Sequence, residues 1–232
     1  MAIVMINNLL SLFQLCDSNF PIGSFSHSFG LESYIQEDKI HDQNTFFGWL
    51  KVYLHEQLVY SDGLASRLVY EALIDDNIQE IWRLDRQLTV QNLPRETREG
   101  TQMIGDRMLK LTESLYGLPI LSKYRDEVKH KDAFGHPAIV FTMVAHGLHV
   151  SKQDTILYYL YSAISSQVQN AVRAIPLGQT AGQKITHQSI PELNHAVDRI
   201  MKLTNDDFGM VSPGIELSQM KHERVNIRIF MS

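Results

Sequence analysis

Cysteine is nearly absent: Cys16 is the single one in 232 residues. An internal disulfide is therefore impossible, and nothing in the cysteine usage marks an oxidising compartment. Positive charge is also in short supply. Against 26 Asp and Glu stand 21 Lys and Arg, a net charge of −5, so the basic footprint of a nucleic-acid binder is missing. Long apolar runs are missing too. The longest beyond the N-terminus, 138–150, is cut by His146 and His149 and is too short to span a bilayer. The apolar N-terminal stretch 1–15 is interrupted by Asn7-Asn8 and has no Lys or Arg ahead of it. No small-residue cleavage site follows, which argues against a signal peptide. The expectation is a soluble, cytoplasmic protein with neither a membrane nor a nucleic acid as partner. No Gly-Lys pair occurs anywhere, which excludes a phosphate-binding loop of the usual kind. His-Glu-x-x-His and Cys-x-x-Cys are likewise absent, so no ready-made zinc site is encoded.

What is present is helical periodicity. Apolar residues are 44% of the chain and charged residues 20%, an ordinary globular balance that can bury a core. Leu64, Leu68 and Ala72 flank Ala65, Val69 and Leu73 in one stripe. Ile104, Met108, Leu111 and Leu115 repeat the spacing, as do Leu157, Leu160, Tyr161, Ile164, Val168, Ala171, Val172 and Ile175. Leu193, Ala196, Val197, Ile200 and Leu203 form a shorter stripe. Asp42 and Asn44 supply helix-start chemistry, and Gly117-Leu118-Pro119 and Gly135-His136-Pro137 punctuate the middle. Strand-like alternation occurs only at 225–230, without a partner strand. An all-α single domain over 1–232, with about eight to ten helices, is the reading.

Three features carry candidate chemistry. The first is the segment 16–32, which crowds Cys16, several hydroxyls, His27 and Glu32 into a short span. A hydrolase would pair Cys16 or Ser26 with His27, but the Gly-x-Ser-x-Gly elbow is missing. The structural reading is helix–loop–helix. In it Pro21 and Gly23 turn the chain, Ser24 or Ser26 caps the next helix, and Gly30 permits close packing. The second feature is His146 and His149, three apart on one helix face. They are either surface histidines or two ligands of a nickel or zinc site. The third is Arg173 at the end of a strongly apolar helix. It either complements the helix dipole or pairs with a carboxylate at an interface. The run Arg95-Glu96-Thr97-Arg98-Glu99 reads as a solvated face with local ion pairs.

Taken together, the motifs are similar to those of a known family. Asp17-Ser18, Pro21-x-Gly23, His27-Ser28 and Gly30-Leu31-Glu32 resemble the N-terminal signature of the UreF family of urease accessory proteins. Ala171-Val172-Arg173-x-Ile175-Pro176-Leu177-Gly178-Gln179-Thr180 resembles its second hallmark. Ser212-Pro213, His222-Glu223 and Arg228-Ile229-Phe230-x-Ser232 resemble its third. Arg95-Glu96-Thr97-Arg98 and Gly105-x-Arg107 sit where the family carries an Arg-rich helix. The tail departs from the family at Arg224-Val225-Asn226 and Met231.

This resemblance implies an all-α homodimer and a non-catalytic chaperone for nickel insertion into apo-urease. Such a protein bridges UreD (also called UreH) and the GTPase UreG. It implies no resident cofactor, nickel being transient cargo at most. Glu32, Asp62, Arg173, His222 and Arg228 are the residues it points to. Glu32 faces the interior or a nickel path, while Arg173 and Asp62 share a partner face. The tail, about 212–232, should be disordered alone and order by docking into the UreD-like partner. The alternative function is a metallochaperone that itself binds nickel through His27, His146, His149 or His222.

Overall fold

Each stripe of helical period falls on a helix with most of its residues buried or half-buried, Leu115 being exposed and Ile175 and Leu203 lying just past the helix ends. The computed structural model describes residues 2–210 and 212–232, with side chains from residue 8 onward. The helices are α1 (Ala2–Cys16), α2 (Leu31–Gln36), α3 (Gln43–Val52), α4 (Leu64–Ile74), α5 (Ile78–Gln91), α6 (Arg95–Tyr116), α7 (Pro119–His130), α8 (Pro137–Gly147), α9 (Lys152–Ala174), α10 (Gln179–Ile200) and α11 (Pro213–His222). A π-helical segment, Tyr53–Gly63, joins α3 to α4 without a break. The described residues thus form ten helical rods and no strand, as the eight to ten expected. The alternating stretch 225–230 forms no strand either.

Local chemistry sets the helix ends. Asp42 accepts from the Thr45 N–H at 2.8 Å and Thr45 answers with its hydroxyl, a closed capping box at the start of α3. Ser151 caps α9 through the Asp154 N–H. Pro137 opens α8, and the His136 ring accepts from the Ala138 N–H.

The apolar run that was too short for a membrane is instead the central rod. Residues Pro137 through Ala145 of α8 are all buried, and α4, α6, α7 and α9 pack around it. None of the helices is long and apolar enough to cross a membrane, among the described residues. Two devices fix the entry to α8. Gly105 on α6 lies against the backbone of Gly135 so closely that a Cβ would overlap the Gly135 carbonyl. The buried Asp85 carboxylate accepts from the N–H groups of Phe134 (2.5 Å) and His136 (3.1 Å).

The helix α8 ends at Gly147, and His149 takes a left-handed φ of 56°. His146 and His149 are therefore neighbours across a turn, not two steps on one helix face. His146 packs edge-on against the Tyr70 ring.

Candidate partner-binding site

The segment after α1 turns as the helix–loop–helix reading requires, with a different cap. Gly23 sits at φ 81°, and the Arg107 guanidinium fills the space where its Cβ would stand. Ser24–Ser26 form one 3-10 turn. The residue at the start of α2 is Gly30, at φ 94°, with no side-chain cap from Ser24 or Ser26. Its missing Cβ admits the Ser218 hydroxyl of α11, so a glycine is required there for both conformation and packing.

Gly30 places Glu32 in the interior. Its carboxylate is buried and accepts from the backbone N–H of Ile229 (2.6 Å) and of Phe230 (3.1 Å). The His222 Nε2 meets the same carboxylate at 2.8 Å. The other nitrogen, Nδ1, meets Glu96 at 3.1 Å, and Arg228 donates to Glu96 at 2.8 Å. A line of alternating acid and base thus runs outward from a fully buried carboxylate to a part-exposed guanidinium. Burial works to raise the Glu96 carboxyl, but the bonds from Arg228 and His222 outweigh it and hold the group below its usual range.

The tail beyond α11 is therefore ordered on the body, against the expectation of disorder. Ser28 donates its N–H to the Ser232 carbonyl (2.5 Å), and Met231 donates to the Ser26 carbonyl (2.8 Å). The His27 ring lies 2.8 Å from the Ser232 hydroxyl. Burial pushes His27 down to about 4, aided by the nearby Arg107 and His222. Phe230 and Ser232 point inward, whereas Ile227, Ile229 and Met231 are exposed, Ile227 at 87%. The prediction of disorder considered the tail alone. Its partners lie some two hundred residues upstream.

The helix α9 anchors the same unit. Asn170 donates to the His27 carbonyl at 2.8 Å, and Arg173, one turn later, donates to the Phe25 carbonyl at 2.7 Å. The Arg173 guanidinium also lies over the rings of Phe25 (5.8 Å) and Phe230 (5.1 Å). No carboxylate pairs with it among the described residues. It is exposed, in the last turn of α9, where the dipole favours a cation.

Asp62 lies elsewhere. It sits in the π-helical segment, where it accepts from the Tyr159 hydroxyl at 2.6 Å and from Ser61. Burial and the adjacent carboxylate raise Tyr159 well above the ordinary tyrosine range. Tyr159 and Arg173 are both on α9, and fourteen residues at 1.5 Å each put them about 21 Å apart along its axis. Asp62 lines a partly open pocket of about 130 Å³. Gln167, Gln91 and Ser166 also line it, each with a buried oxygen lacking a protein partner. Glu216 and Gln219 of α11 close its side.

The hydrolase pairs are not assembled. Burial pushes the Cys16 thiol up to about 12, and its sulfur donates to the Tyr158 carbonyl. The His27 ring addresses Ser232, not Ser26. No three His, Cys, Asp or Glu side chains converge as a metal site among the described residues.

Of the residues singled out from the sequence, the structure brings Glu32, His222, Arg173 and Arg228 together around the tail, and it adds Glu96 and Asn170 to the same cluster. Glu96 looked like one member of a solvated run. Arg95 and Glu99 do form such an exposed pair at 3.8 Å, but Glu96 turns inward to the tail. The signal for Asn170 was its place one helical turn before Arg173.

Among protein families, UreF matches this chain over residues 40–190. That span holds Asp62, Glu96, Asn170 and Arg173, while the Glu32 segment and the tail, which carry two of the three resembling motifs, flank it on either side. With most of its length matched and its ends folded onto the matched body, the chain belongs to the UreF family of urease accessory proteins.

Proposed function

We propose that this protein is a non-catalytic, cytoplasmic scaffold of urease maturation, acting as a homodimer. It bridges a UreD/UreH-like accessory protein and a UreG-like GTPase, and through the GTPase it gates nickel insertion into apo-urease. Nickel is cargo, not a resident cofactor. The observation that carries the reading is the apolar ridge of Ile227, Ile229 and Met231. It stands beside the exposed Phe25, since Met231 is hydrogen-bonded to Ser26, and is bordered by the Arg173 cation, which lies over the Phe25 and Phe230 rings. Adjoining exposed side chains of this size mark an interaction surface. The family assignment supplies the class of partner.

The residues divide by role. The tail 212–232 docks the UreD-like protein, with His222 and Arg228 shaping it from below. Arg173 contacts the GTPase or forms the rim that does. Glu32 acts from the interior by holding the tail. Asp62 serves a partner face only indirectly, through Tyr159 and the cavity wall.

Light scattering on a sizing column tests the assembly, first with this protein alone and then with its UreD-like and UreG-like partners and GTP. A dimer that shifts to a complex containing all three is the expected outcome. A monomer that ignores both partners refutes the scaffold.

A further inference from the structure

We propose that the pocket beside Asp62 is a binding site for the guanidinium group of a small organic cation, held among aromatic side chains and hydrogen-bonded by Asp62, Gln91, Gln167 and Glu216.

The winding of the π-helical segment builds one wall. Tyr53, Gln57, Leu58, Ser61 and Asp62 all line the pocket, and all lie on Tyr53–Gly63. Tyr53 and Asp62 are nine positions apart. At the about 100° per residue of an α-helix they would stand on opposite faces. The wider i→i+5 winding instead brings positions 53, 57–58 and 61–62 to one side. Such winding is rare and is found mostly at functional sites.

The chemistry of the lining is one-sided. It holds two carboxylates, Asp62 and Glu216, and no Lys or Arg among the described residues. His136 lines it too, but its ring accepts from the Ala138 N–H, and a nitrogen that accepts carries no proton. Gln167, which is 1% exposed, holds a buried oxygen without a protein partner, as do Gln91 and Ser166. Buried acceptors without donors are costly, and the terminal amide torsion is soft enough to turn a glutamine oxygen toward a ligand. Acceptors therefore come from α5, α9, α11 and the π-helical segment. The two Asp62 oxygens are fixed by the Tyr159 and Ser61 hydroxyls. Of the roughly four lone-pair sites on a carboxylate, those bonds leave about two for a ligand.

A guanidinium matches this set. It is planar and always charged, carries N–H donors around its edge, has no acceptor, and stacks on aromatic rings. Phe29, Tyr53, Phe141 and Tyr159 supply such rings. An anion would face the two carboxylates, and an apolar ligand would leave the oxygens unpaired. No three His, Cys, Asp or Glu side chains converge among the described residues, so a bare metal ion finds no ligand set here. The pocket measures about 130 Å³. A cavity of about 150 Å³ holds benzene, so the group bound here has about six heavy atoms. The inference needs no partner protein and stands apart from the scaffold reading.

The test titrates the full chain, without partners, with methylguanidinium and with its neutral isostere methylurea, followed by amide NMR shifts. Methylguanidinium should saturate one site per chain with a Kd of about 1 mM or tighter, within reach of so small a ligand. The shifts should centre on 53–62, 91 and 166–167, and methylurea should bind at least about tenfold more weakly. Asp62→Asn should weaken methylguanidinium by about tenfold. Asp62 also holds Tyr159, so if that variant fails to fold, Glu216→Gln decides, with several-fold weakening expected. A free alkylguanidine and an arginine side chain carry the same group, and Nα-acetylarginine methylamide separates them. Tighter binding than methylguanidinium points to a polypeptide arginine, and weaker binding to a free small molecule; either supports the site. No saturation up to about 10 mM, equal binding of methylurea, shifts scattered over surface carboxylates, or binding unchanged in the folded variants overturns it.

Discussion

Glu32 and His222 are 190 residues apart in the chain and 2.8 Å apart in the fold, buried together where α2 meets α11. The pairing makes the two ends of the protein one structural unit. Neither end lies within the matched span 40–190, yet that span supplies what holds them. Glu96 joins His222 to Arg228, Asn170 fixes the His27 carbonyl, and Arg173 covers Phe25 and Phe230. A residue of the N-terminal motif thus positions the tail, the surface proposed above to meet a partner.

Arg173→Ala separates a partner role from a structural one. The side chain is exposed, so its hydrogen bond to Phe25 and its two ring contacts are together worth about 1 kcal/mol to the fold. Unfolding in urea should move by no more than that. Binding of the UreG-like GTPase, measured by titration calorimetry, should weaken by about tenfold or more if Arg173 enters a desolvated contact. Equal binding by both proteins removes Arg173 from the interface.

Gly105→Ala and Gly48→Ala make the same chemical change with opposite outcomes. At Gly105 the added methyl overlaps the Gly135 carbonyl, a backbone atom at the entry to α8 that has no room to move. The expected loss is about 3 kcal/mol, at the upper end of overpacking costs. At Gly48, within α3, nothing lies near the new methyl, and better helix propensity should add about 0.5–1 kcal/mol. Equal losses at the two sites, read from denaturant midpoints, refute the close approach of α6 to the α8 turn.

Asp85→Ala leaves the Phe134 N–H without its acceptor, while the His136 N–H keeps the Tyr124 hydroxyl at 3.1 Å. An unsatisfied buried donor costs about 1–3 kcal/mol, so about 2 kcal/mol is expected for the one orphaned group. Hydrogen exchange should rise first at 134 and then along α8. An unchanged midpoint means that another group or water takes over that donor.

Helix positions were legible because period 3.6 is a local property. The stripe from Leu157 to Ile175 needs no knowledge of what it packs against. The burial of α8 on all sides was not legible from periodicity, because a helix covered all round shows none. The candidate site was half legible. Glu32, Arg173, His222 and Arg228 belong to recognisable motifs. Their mutual contacts were not readable, because nothing in a single sequence signals that residue 32 touches residues 222, 229 and 230. Glu96 was hidden for a related reason. Its neighbours Arg95 and Glu99 explain a solvated run by local spacing alone. The same limit produced the expectation of a disordered tail, argued from its own composition while the residues that order it lie at 26, 28 and 32.

Acid should weaken the packing of the tail against the body through His27. In the folded protein burial, Arg107 and His222 lower this histidine to about 4, against 6.5 for a free side chain. As pH falls below 6.5 the unfolded chain takes up a proton that the folded chain refuses until about 4. Stability is therefore full above pH 6.5, drops between 6.5 and 4, and levels off below. At about 1.4 kcal/mol per pH unit the loss is bounded at about 3 kcal/mol. Carboxylates with lowered values, such as Glu96 and Asp42, also lose stability in acid. They are common to the unsubstituted protein and a His27→Gln variant and so cancel in the difference. The unfolding free energy of the unsubstituted protein minus that of His27→Gln should decrease by about 2–3 kcal/mol from pH 7 to pH 4. Two parallel pH curves mean that His27 titrates alike in both states and that the packing around Gly100 and Ser232 leaves it open to a proton.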